Sequence, residues 1–379
     1  MKILLTGGGS GGHFYPVIAV AEALNQLSKK EHLIESQLFY MAPEPYNEGL
    51  LFDNKIKFKK SPAGKWRRYF SFLNFLDIFK TGWGILKAIW IVFYIYPDVI
   101  FGKGGYASFP ALFAGKILGI PVIIHESDAI PGKANLWASK FAKRIAVSYS
   151  EAADHFPKTY QNKIAHTGNP IRKEILSPLE EGAREFLKLE KSLPVIFIIG
   201  GSLGAQLINN LIIDSLPHLV SKYEIIHQTG KNNFNDVKKR AAAMLFQNQF
   251  KTRYHPFDYL NTDALAMAAG ASDLVISRAG STIFEIASWA KPSILIPIPD
   301  SGGDHQRKNS FSYARSGAAV VIEEDNLKRS NILVSEIERI MGDKETRQNM
   351  SKAAEKFARK NAAEVIAQEI INLALEHAK

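Results

Sequence analysis

The sequence predicts an α/β protein with two Rossmann-like domains, whose parallel sheets face each other across a cleft. Short apolar runs alternate with helical patterns along the chain, and this alternation favours mainly parallel sheets. Two strands, one in each half, run directly into glycine-rich turns at residues 7–13 and 200–205. The length of 379 residues suits two domains of about 150–200 residues each. The arrangement is typical of an enzyme that holds a diphosphate-linked donor in one domain and an acceptor in the other.

The period of the apolar residues predicts the order of strands and helices. In the first half we predict strands near 2–6, 36–42, 56–59, 98–101, 121–125, 144–148 and 164–167, and helices near 15–29, 82–95, 108–118, 132–142 and 150–155. In the second half we predict strands near 194–199, 223–228, 251–254, 273–277, 293–297 and 319–322. Its helices are predicted near 205–220, 234–246, 258–269, 281–289, 304–316, 329–341, 343–358 and 361–377.

The domain junction is predicted at Gly168-Asn169-Pro170, because proline cannot continue a β-ladder. We therefore expect an N-terminal domain at 1–167 and a C-terminal domain at 168–358. The remaining segment, 359–379, is expected to form a helix that packs back on the N-terminal domain.

The composition excludes several classes of chemistry. The chain contains no cysteine, so disulfides, thiolate metal sites and a cysteine nucleophile are excluded. The N-terminus begins with a strand and lacks the pattern of a secretory signal, which predicts a cytoplasmic protein.

The positive charge is concentrated beside aromatic residues, and this predicts contact with a membrane surface. The formal net charge is +10, and residues 54–76 contain seven basic residues and no acidic one. The aromatic segment 69–83 follows, and basic residues beside apolar ones are typical of interfacial membrane binding. A transmembrane helix is disfavoured because Asp77, Lys80 and Lys87 interrupt the apolar run. Burial in the core is the alternative and fits Ile85, Ile89 and Val92. No pattern typical of nucleic-acid binding occurs, so that partner is not expected.

The first glycine turn, with Ser10, Gly11 and Gly12, is suited to an anion, because glycine lets backbone N–H groups approach closely. Its spacing does not match the NAD fingerprint, and no lysine–serine pair follows as in a Walker loop. His13 stands where this turn enters a helix. It is either a polar residue of the first helical turn or a general base, since histidine titrates near neutral pH.

Two further polar clusters follow strands, where α/β proteins bind ligands. Glu126 and Asp128 follow the strand at 121–125; a metal site is disfavoured because no third ligand has suitable spacing, and helix capping is the alternative for Asp128. In the second half, Ser281 or Thr282 is predicted to cap a helix whose first turn contains Glu285. That glutamate could also accept hydrogen bonds from two ribose hydroxyls. Further on, the amide side chains opening the helix at 304–316 suit sugar hydroxyls.

Taken in order, these motifs resemble the MurG family of glycosyltransferases, which have the GT-B fold. The resemblance covers essentially the whole chain. It rests on residues 8–13 with Pro16, 102–106, His125-Glu126 with Pro131-Gly132 and Asn135, 168–170 with Arg172, 200–205, Arg278 with Gly280 and Glu285, and Gln306 with Asn309.

The resemblance implies a donor site for UDP-N-acetylglucosamine, mainly in the second domain. There the loop at Ser202 would hold the diphosphate, the backbone of Phe257 would bind uracil, and Glu285 would bind ribose. The other implied donor residues are Ser10, Gly11, Gly12, Asp128, Arg172, Arg278, Gly280, Ser281, Thr282, Gln306 and Asn309. The resemblance also implies that Gly104, Gly105 and Tyr106 hold the diphosphate of the acceptor lipid. No Asp-x-Asp metal motif is evident in the sequence, so we expect no metal or cofactor and expect the glycine turns to stabilise the diphosphate instead.

We therefore expect an inverting transfer of N-acetylglucosamine to the muramoyl sugar of a polyprenyl-diphospho-muramoyl-pentapeptide, at the cytoplasmic face of the plasma membrane. His13 is the first candidate for the general base, and Glu126 is the second. The alternatives are a UDP-N-acetylglucosamine 2-epimerase, a glycolipid glycosyltransferase, and a non-catalytic nucleotide-sugar-binding membrane protein. An epimerase would not need the basic and aromatic segment.

Overall fold

The computed structural model describes residues 1–30, 36–64, 72–200, 205–299, 303–327 and 331–377. The chain divides into two compact units. Unit 1 comprises Met1–Arg172 and Arg359–Lys379, and unit 2 comprises Lys173–Ala358. The division lies a few residues after the predicted junction.

Unit 1 alternates strands with helices. Its elements are β1 (Lys2–Thr6), α1 (Gly11–Lys30), β2 (Gln37–Ala42), α2 (Glu48–Asp53), β3 (Ile56–Lys60), α3 (Phe72–Ile95), β4 (Val99–Gly102), α4 (Phe109–Leu118), β5 (Val122–Glu126), α5 (Lys133–Ala138), β6 (Arg144–Val147) and β7 (Ile164–His166). Short 3-10 turns occur at Tyr106–Ser108, Ser150–His155 and Lys158–Lys163. The predicted helix at 150–155 is therefore a 3-10 turn.

Unit 2 has the same alternation, and the last helix of the chain returns to unit 1. The elements are α6 (Lys173–Leu176), α7 (Ala183–Phe186), β8 (Val195–Ile199), α8 (Gln206–Leu219), β9 (Glu224–Gln228), α9 (Phe234–Met244), β10 (Tyr254–Phe257), α10 (Thr262–Ala271), β11 (Leu274–Ser277), α11 (Thr282–Ser288), β12 (Ser293–Leu295), α12 (His305–Ala314), β13 (Ala319–Val321), α13 (Glu324–Leu327), α14 (Ile332–Gly342), α15 (Lys344–Phe357) and α16 (Ala362–His377). A 3-10 turn at Lys251–Arg253 precedes β10.

The two sheets have the same strand order at their centres. The sheet of unit 1 has the order β3-β2-β1-β4-β5-β6-β7, and that of unit 2 has the order β10-β9-β8-β11-β12-β13. Every pair of neighbouring strands is parallel. In each sheet the chain moves outward in one direction and then returns to the other side of the first strand. The predicted class of parallel α/β domains is confirmed.

The core of unit 1 has two layers, one on each face of its sheet. On one face, α1 and α16 pack together against β1, with Ile18, Ile366 and Ile370 fully or almost fully buried. On the other face, α3 and α4 pack against β4 and β5, with Ala88, Val92 and Leu112 buried. The prediction that Val92 belongs to the core is confirmed, while Ile89 is only partly buried at its edge.

Candidate active site

In each sheet the strand order reverses beside the first strand of the unit. In unit 1, β1 and β4 are neighbours, so the turns that follow them lie side by side at the carboxyl edge of the sheet. In unit 2, β8 and β11 are neighbours in the same way. Ligands of open α/β sheets bind in the crevice at this point. Among the predicted site residues, Gly11 and Gly12 follow β1, Gly104 and Gly105 follow β4, and Gly280 follows β11, so these residues lie at the reversal points.

Unit 1 has a first glycine turn after β1, residues 7–13, and a second glycine turn after β4, residues 102–106, and the two turns pack closely against each other through Gly9 and Tyr106. Gly9 has a φ of 91°, and a Cβ added to it would lie 2.6 Å from a ring carbon of Tyr106. Only glycine fits both the backbone angle and the approach. The hydroxyl of Tyr40 donates to the carbonyl of Gly7, and this contact fixes the start of the first turn.

His13 lies in the first turn of α1 and faces the second glycine turn. Its Nδ1 lies 2.9 Å from the hydroxyl of Ser10, and the amide of His13 donates to the Ser10 carbonyl at 3.2 Å. The Nε2 atom lies 3.4 Å from the position that a Cβ of Gly105 would occupy. The ring is thus held by Ser10 on one side and directed at the predicted acceptor turn on the other, and it is only partly buried.

Glu126 lies at the end of β5 and is buried, with 4% of its surface exposed. Its carboxylate accepts hydrogen bonds from the Asp128 amide (3.0 Å), the Gly132 amide (2.9 Å) and Nδ2 of Asn135 (2.8 Å). Burial raises the pKa of this carboxyl, and the neighbouring Asp128 adds to the shift. Glu126 therefore fastens the loop that carries Asp128, a structural role that competes with the predicted catalytic one.

His125 is fully buried and connects β5 to the end of the N-terminal half of the chain. Its Nε2 lies 3.0 Å from the carbonyl oxygen of Gly168, which accepts but cannot donate, so the proton lies on Nε2. Burial holds the pKa of His125 well below its usual value, and the charge of Lys103 lowers it further. The ring is neutral and structural.

Arg172 and Lys103 are two buried cations of unit 1, and only the first was among the predicted site residues. The Arg172 guanidinium is stacked 4.8 Å from the centre of the Tyr15 ring, which places it beside α1. Lys103, in the second glycine turn, is 1% exposed. The sequence shows a lysine between two glycines after a strand, and that pattern could have identified it.

In unit 2, Arg278 follows β11 and is held by its own unit. Its Nη1 donates to the carbonyl of Ile296 at 3.0 Å and to Oε1 of Glu324 at 2.5 Å. The side chain thus joins the turn after β11 to the turn after β12. It shapes the turn that contains Gly280, whose added Cβ would meet no described atom within 4 Å.

Ser281 and Thr282 begin α11, but the predicted capping bond is wrong. Ser281 is the N-cap residue and has helical angles (φ −61°, ψ −19°), and its side chain makes no capping hydrogen bond. A capping side chain requires extended backbone at that position, which explains the difference. Instead the amides of Ile283 and Phe284 donate to the carbonyls of Gly280 and Ser281. Glu285 lies in the same first turn and is half-buried.

Gln306 and Asn309, both on α12, have partners within unit 2. Oε1 of Gln306 accepts from the amide of Ile298 at 3.1 Å. Asn309 is 2% exposed, and its Nδ2 donates to the carbonyl of Ala279 at 3.4 Å. These amides hold the turns after β12 and β11, so their predicted contacts with sugar hydroxyls compete with structural contacts.

The carbonyl of Phe257, at the end of β10, is already used. It accepts hydrogen bonds from the amide of Thr229 at 2.9 Å and from its hydroxyl at 3.1 Å. Two donors occupy both lone pairs of that oxygen, so this geometry disfavours the carbonyl as the backbone group of Phe257 that would bind uracil and leaves the amide as the group for which that role stays a prediction. Ser202, the predicted diphosphate residue, lies outside the described residues.

Across the described ranges, no group of three histidine or acidic residues is arranged to hold a metal ion. The prediction that no metal or cofactor takes part stays a prediction.

Two family models match the chain, one in each half. The N-terminal domain of glycosyltransferase family 28 matches residues 3–147, and its C-terminal domain matches residues 195–368. A UDP-N-acetylglucosamine–N-acetylmuramyl-(pentapeptide) pyrophosphoryl-undecaprenol N-acetylglucosamine transferase of Treponema denticola is 37% identical, and the alignment covers 96% of each chain. The Borreliella afzelii protein of the same name is 36% identical over 97% of this chain and 96% of its own.

Solved structures support the fold. The crystal structure of Acinetobacter baumannii MurG has a TM-score of 0.70 at 22% identity and covers 98% of this chain and 99% of that chain. A UDP-N-acetylglucosamine 2-epimerase of Neisseria meningitidis has a TM-score of 0.64 at 16% identity, with 98% and 100% covered. At such identities the similarity shows the fold alone, which is GT-B-like in both cases. The fold therefore does not separate a transferase from an epimerase.

Proposed function

The chain belongs to glycosyltransferase family 28, and from that premise we propose that it transfers N-acetylglucosamine from UDP-N-acetylglucosamine to a polyprenyl-diphospho-muramoyl-pentapeptide. The enzyme is a hexosyltransferase, and the reaction converts lipid I to lipid II in peptidoglycan synthesis, on which cell-wall growth, cell shape and division depend. The observation that carries this function is the similarity of 36–37% along almost the whole chain to enzymes named for this transfer.

Product analysis tests the function directly. The protein is incubated with UDP-N-acetylglucosamine and a short-chain analogue of the muramoyl-pentapeptide lipid, and the lipid is analysed by mass spectrometry. We expect the mass of one added N-acetylhexosamine, and UDP as the second product. Formation of N-acetylmannosamine without any change to the lipid would indicate an epimerase. A product formed only with diacylglycerol as acceptor would indicate a glycolipid transferase. Binding of the donor without any turnover would indicate a non-catalytic protein.

For the donor we propose the crevice of unit 2, at the turn after β11. Glu285 is in the first turn of α11, partly accessible, and a carboxylate there suits the two hydroxyls of a ribose. Gly280, Ser281 and Thr282 offer backbone and hydroxyl groups beside it. Arg278, Gln306 and Asn309 support these turns through the contacts described above. We assign them positioning roles, in addition to any contact with the sugar.

For catalysis we propose that His13 takes the proton from the attacking hydroxyl of the acceptor sugar. That oxygen attacks the anomeric carbon of N-acetylglucosamine from the face opposite UDP, so the configuration inverts, and the bond to the UDP oxygen breaks. The hydrogen bond between Ser10 and Nδ1 orients the ring, and Nε2 faces the turn at Gly105. We assign Glu126 the role of holding the loop with Asp128, because its carboxylate already accepts three hydrogen bonds.

For the membrane we propose that the exposed face of α3 lies on the bilayer that contains the acceptor lipid. The helix buries Ala88 and Val92 in the core, and its opposite face exposes apolar side chains at helical spacing. These are Phe75, Phe79, Trp83, Leu86, Trp90 and Phe93. Scattered exposed apolar residues are common, but a continuous stripe marks an interaction surface.

The occupant of that stripe is a membrane surface rather than a second protein, because the flanking charge is basic. Exposed Lys80 and Lys87 lie on the same helix, and basic residues beside aromatic ones favour anionic lipid headgroups. The segment Asp77–Ile95 meets the length and composition of a membrane span. Its buried face packs on the rest of unit 1, which favours contact with the membrane surface over insertion across the membrane. We place the enzyme at the cytoplasmic face of the membrane, where the sequence predicts it.

A further inference from the structure

The second glycine turn of unit 1 contains a lysine whose charge the proposed mechanism does not use. Lys103 directly follows β4, and its amide donates to the carbonyl of Thr6 at the end of β1, at 2.8 Å. Its Cβ lies 2.8 Å from the position that a Cβ of Gly7 would occupy. The backbone and Cβ of Lys103 therefore pack against the first glycine turn, at the reversal point of the strand order.

The ammonium group of Lys103 is buried without a hydrogen bond. Its Nζ has no hydrogen-bond partner among the described residues, although buried ammonium groups are usually paired. Two carboxylates act on it through space, those of Glu126 and Asp128. On the side of α1 and β5, the other titratable groups of this cluster are His13 and His125. A buried ammonium group that makes no hydrogen bond to a described residue is explained poorly by packing alone.

The charges at this edge of the sheet determine whether an anion can approach. Two carboxylates beside the turn at Gly104 and Gly105 would repel a diphosphate, since like charges brought together in a partly desolvated site weaken binding strongly. Lys103 is a buried cation of that turn, and its charge interacts with both carboxylates. A charge needs no direct contact to act there, because the interior screens it less than water does.

We propose that Lys103 is a buried counter-charge that offsets Glu126 and Asp128 and thereby allows a diphosphate-linked acceptor to bind at Gly104, Gly105 and Tyr106. This inference rests on the proposed transferase function and on the assignment of that turn to the acceptor. Lys103 is a positioning residue in this scheme, because it acts on the site through its charge and not by touching the substrate.

The counter-charge predicts a pH dependence that a purely structural lysine would not produce. Burial lowers the pKa of Lys103 to about 8, although the two carboxylates partly oppose the shift. The positive charge is present below that pH and is lost as the pH rises through it. With donor at saturation, kcat/KM for the acceptor should therefore fall above about pH 8, approaching about tenfold per pH unit for a single ionisation.

The test compares wild type, Lys103→Met and Lys291→Met between pH 6.5 and 9, with the short-chain lipid as acceptor. In Lys103→Met we expect the fall above pH 8 to disappear and the acceptor KM at pH 7 to rise about tenfold or more. The donor KM should change less than twofold. Lys291→Met is the matched control, because Lys291 is also largely buried but donates to the carbonyls of Gly270 and Ser272 in unit 2; it should retain the fall.

Two further measurements keep the inference testable if Lys103→Met does not fold. Asp128→Asn removes one of the two carboxylates that oppose the lowering of the Lys103 pKa, so the fall in kcat/KM for the acceptor should begin at a lower pH than in wild type. A wild-type profile that is flat from pH 7 to 9 would overturn the inference without any variant, as would a fall that persists in Lys103→Met. Absence of transfer by the wild type at every pH would instead contradict the proposed function.

Discussion

His13 and Glu126 differ in what surrounds their polar atoms, and this difference decides which of them is suited to take a proton. The Glu126 carboxylate is buried and accepts three hydrogen bonds from its own loop. The His13 ring is partly exposed, and the hydroxyl of Ser10 orients it through Nδ1. A general base must reach the proton it removes. The structure therefore favours the histidine, which was also the first choice from the sequence.

Replacing His13 tests the assignment of the base. We expect His13→Ala to lower kcat by about 10²–10⁴, the usual contribution of a general base, with UDP affinity unchanged in calorimetry. Ser10→Ala should lower kcat by a smaller factor, because it removes only the contact that orients the ring. The control is His155→Ala, at an exposed position of a 3-10 turn. If His13→Ala and His155→Ala have the same kcat, His13 is not the base.

Residue types at the sheet edges could be predicted from the sequence, but their burial could not. Polar residues after strands identified Glu126 and Asn309 as site candidates, and the structure places both at the carboxyl edge of a sheet. Both are almost completely buried and hold neighbouring turns. Burial depends on how residues distant in sequence cover a side chain. For the same reason, the sequence shows that Lys103 stands between two glycines but does not show that its ammonium group is buried.

At the scale of single elements, α3 combines a core face with an exposed apolar face. Its buried side packs on β4 and α4, and its N-terminal part is attached to the segment after β3. There the hydroxyl of Ser61 donates to the Gly84 carbonyl at 3.0 Å, and the Gly64 amide donates to the Thr81 hydroxyl at 3.0 Å. The outer stripe is thereby presented on a fixed helix, which suits shallow insertion into a bilayer.

Removing two aromatic residues from this stripe tests its role. Each fully buried large apolar side chain contributes about 1.5–3 kcal/mol, so Trp90→Ser combined with Phe93→Ser should reduce binding to anionic vesicles about tenfold or more. The matched control is Phe246→Ser, an exposed phenylalanine of unit 2. Sedimentation of the protein with vesicles measures the binding. Equal binding by the double variant and the control would contradict the proposed face, and a concentration-dependent dimer lost only in the double variant would assign it to a second copy.

The turn before α11 offers a test of the donor site that separates ligand contact from folding. An alanine Cβ at position 280 would meet no described protein atom within 4 Å, so Gly280→Ala should leave the melting temperature unchanged and weaken UDP binding by steric contact with the ligand. Glu285→Ala should weaken it by about 2–3 kcal/mol, as expected for a hydrogen bond to a charged group. Glu355→Ala, exposed on α15, is the control in calorimetry. Unchanged affinity in both site variants would exclude this turn.

The elements for which the sequence prediction differs from the structure lack a clear periodicity of apolar residues or depend on contacts with residues distant in sequence. The helix α2 is not among the predicted elements, because it has only six residues. Its N-cap, where the side chain of Asn47 accepts from the amide of Leu50, is a local signal within a polar segment. The sequence predicts a strand at 251–254, but β10 begins three residues later, because the 3-10 turn Lys251–Arg253 precedes it. The helix α3 begins at Phe72 and not at residue 82, since aromatic residues were assigned to a membrane segment and not to a helix.

For the whole molecule, the repeated alternation of strand and helix was sufficient to predict two parallel sheets. The order of the strands within each sheet is not predicted by the sequence. In unit 1 the order reverses between β1 and β4, and both glycine turns of that unit follow these strands. The return of α16 to α1 was expected, and Ile366, Ile370 and Ile371 are buried in that contact. The facing of the two domains across a cleft stays a prediction from the sequence.

The charge of the whole chain gives a final prediction about membrane binding. The three basic residues Lys65, Arg67 and Arg68 lie outside the described residues, within the most basic part of the sequence. Their joint replacement by glutamate lowers the formal net charge from +10 by six. Since each basic residue near an anionic surface contributes about 1 kcal/mol, the triple variant should bind anionic vesicles far more weakly. Wild-type binding should also decrease as salt rises, because the Debye length shortens to about 3 Å at 1 M.

The control for this variant is UDP affinity, which should be unchanged because the proposed donor site lies in unit 2. A second control replaces three basic residues of unit 2, Lys238, Lys239 and Lys251, by glutamate and changes the net charge equally. If both triple variants lose binding to the same extent, net charge alone attracts the protein to the membrane. If only the variant at 65–68 loses it, attraction is local to the segment that precedes α3. Undiminished binding of that variant would place the membrane-facing charge elsewhere on the chain.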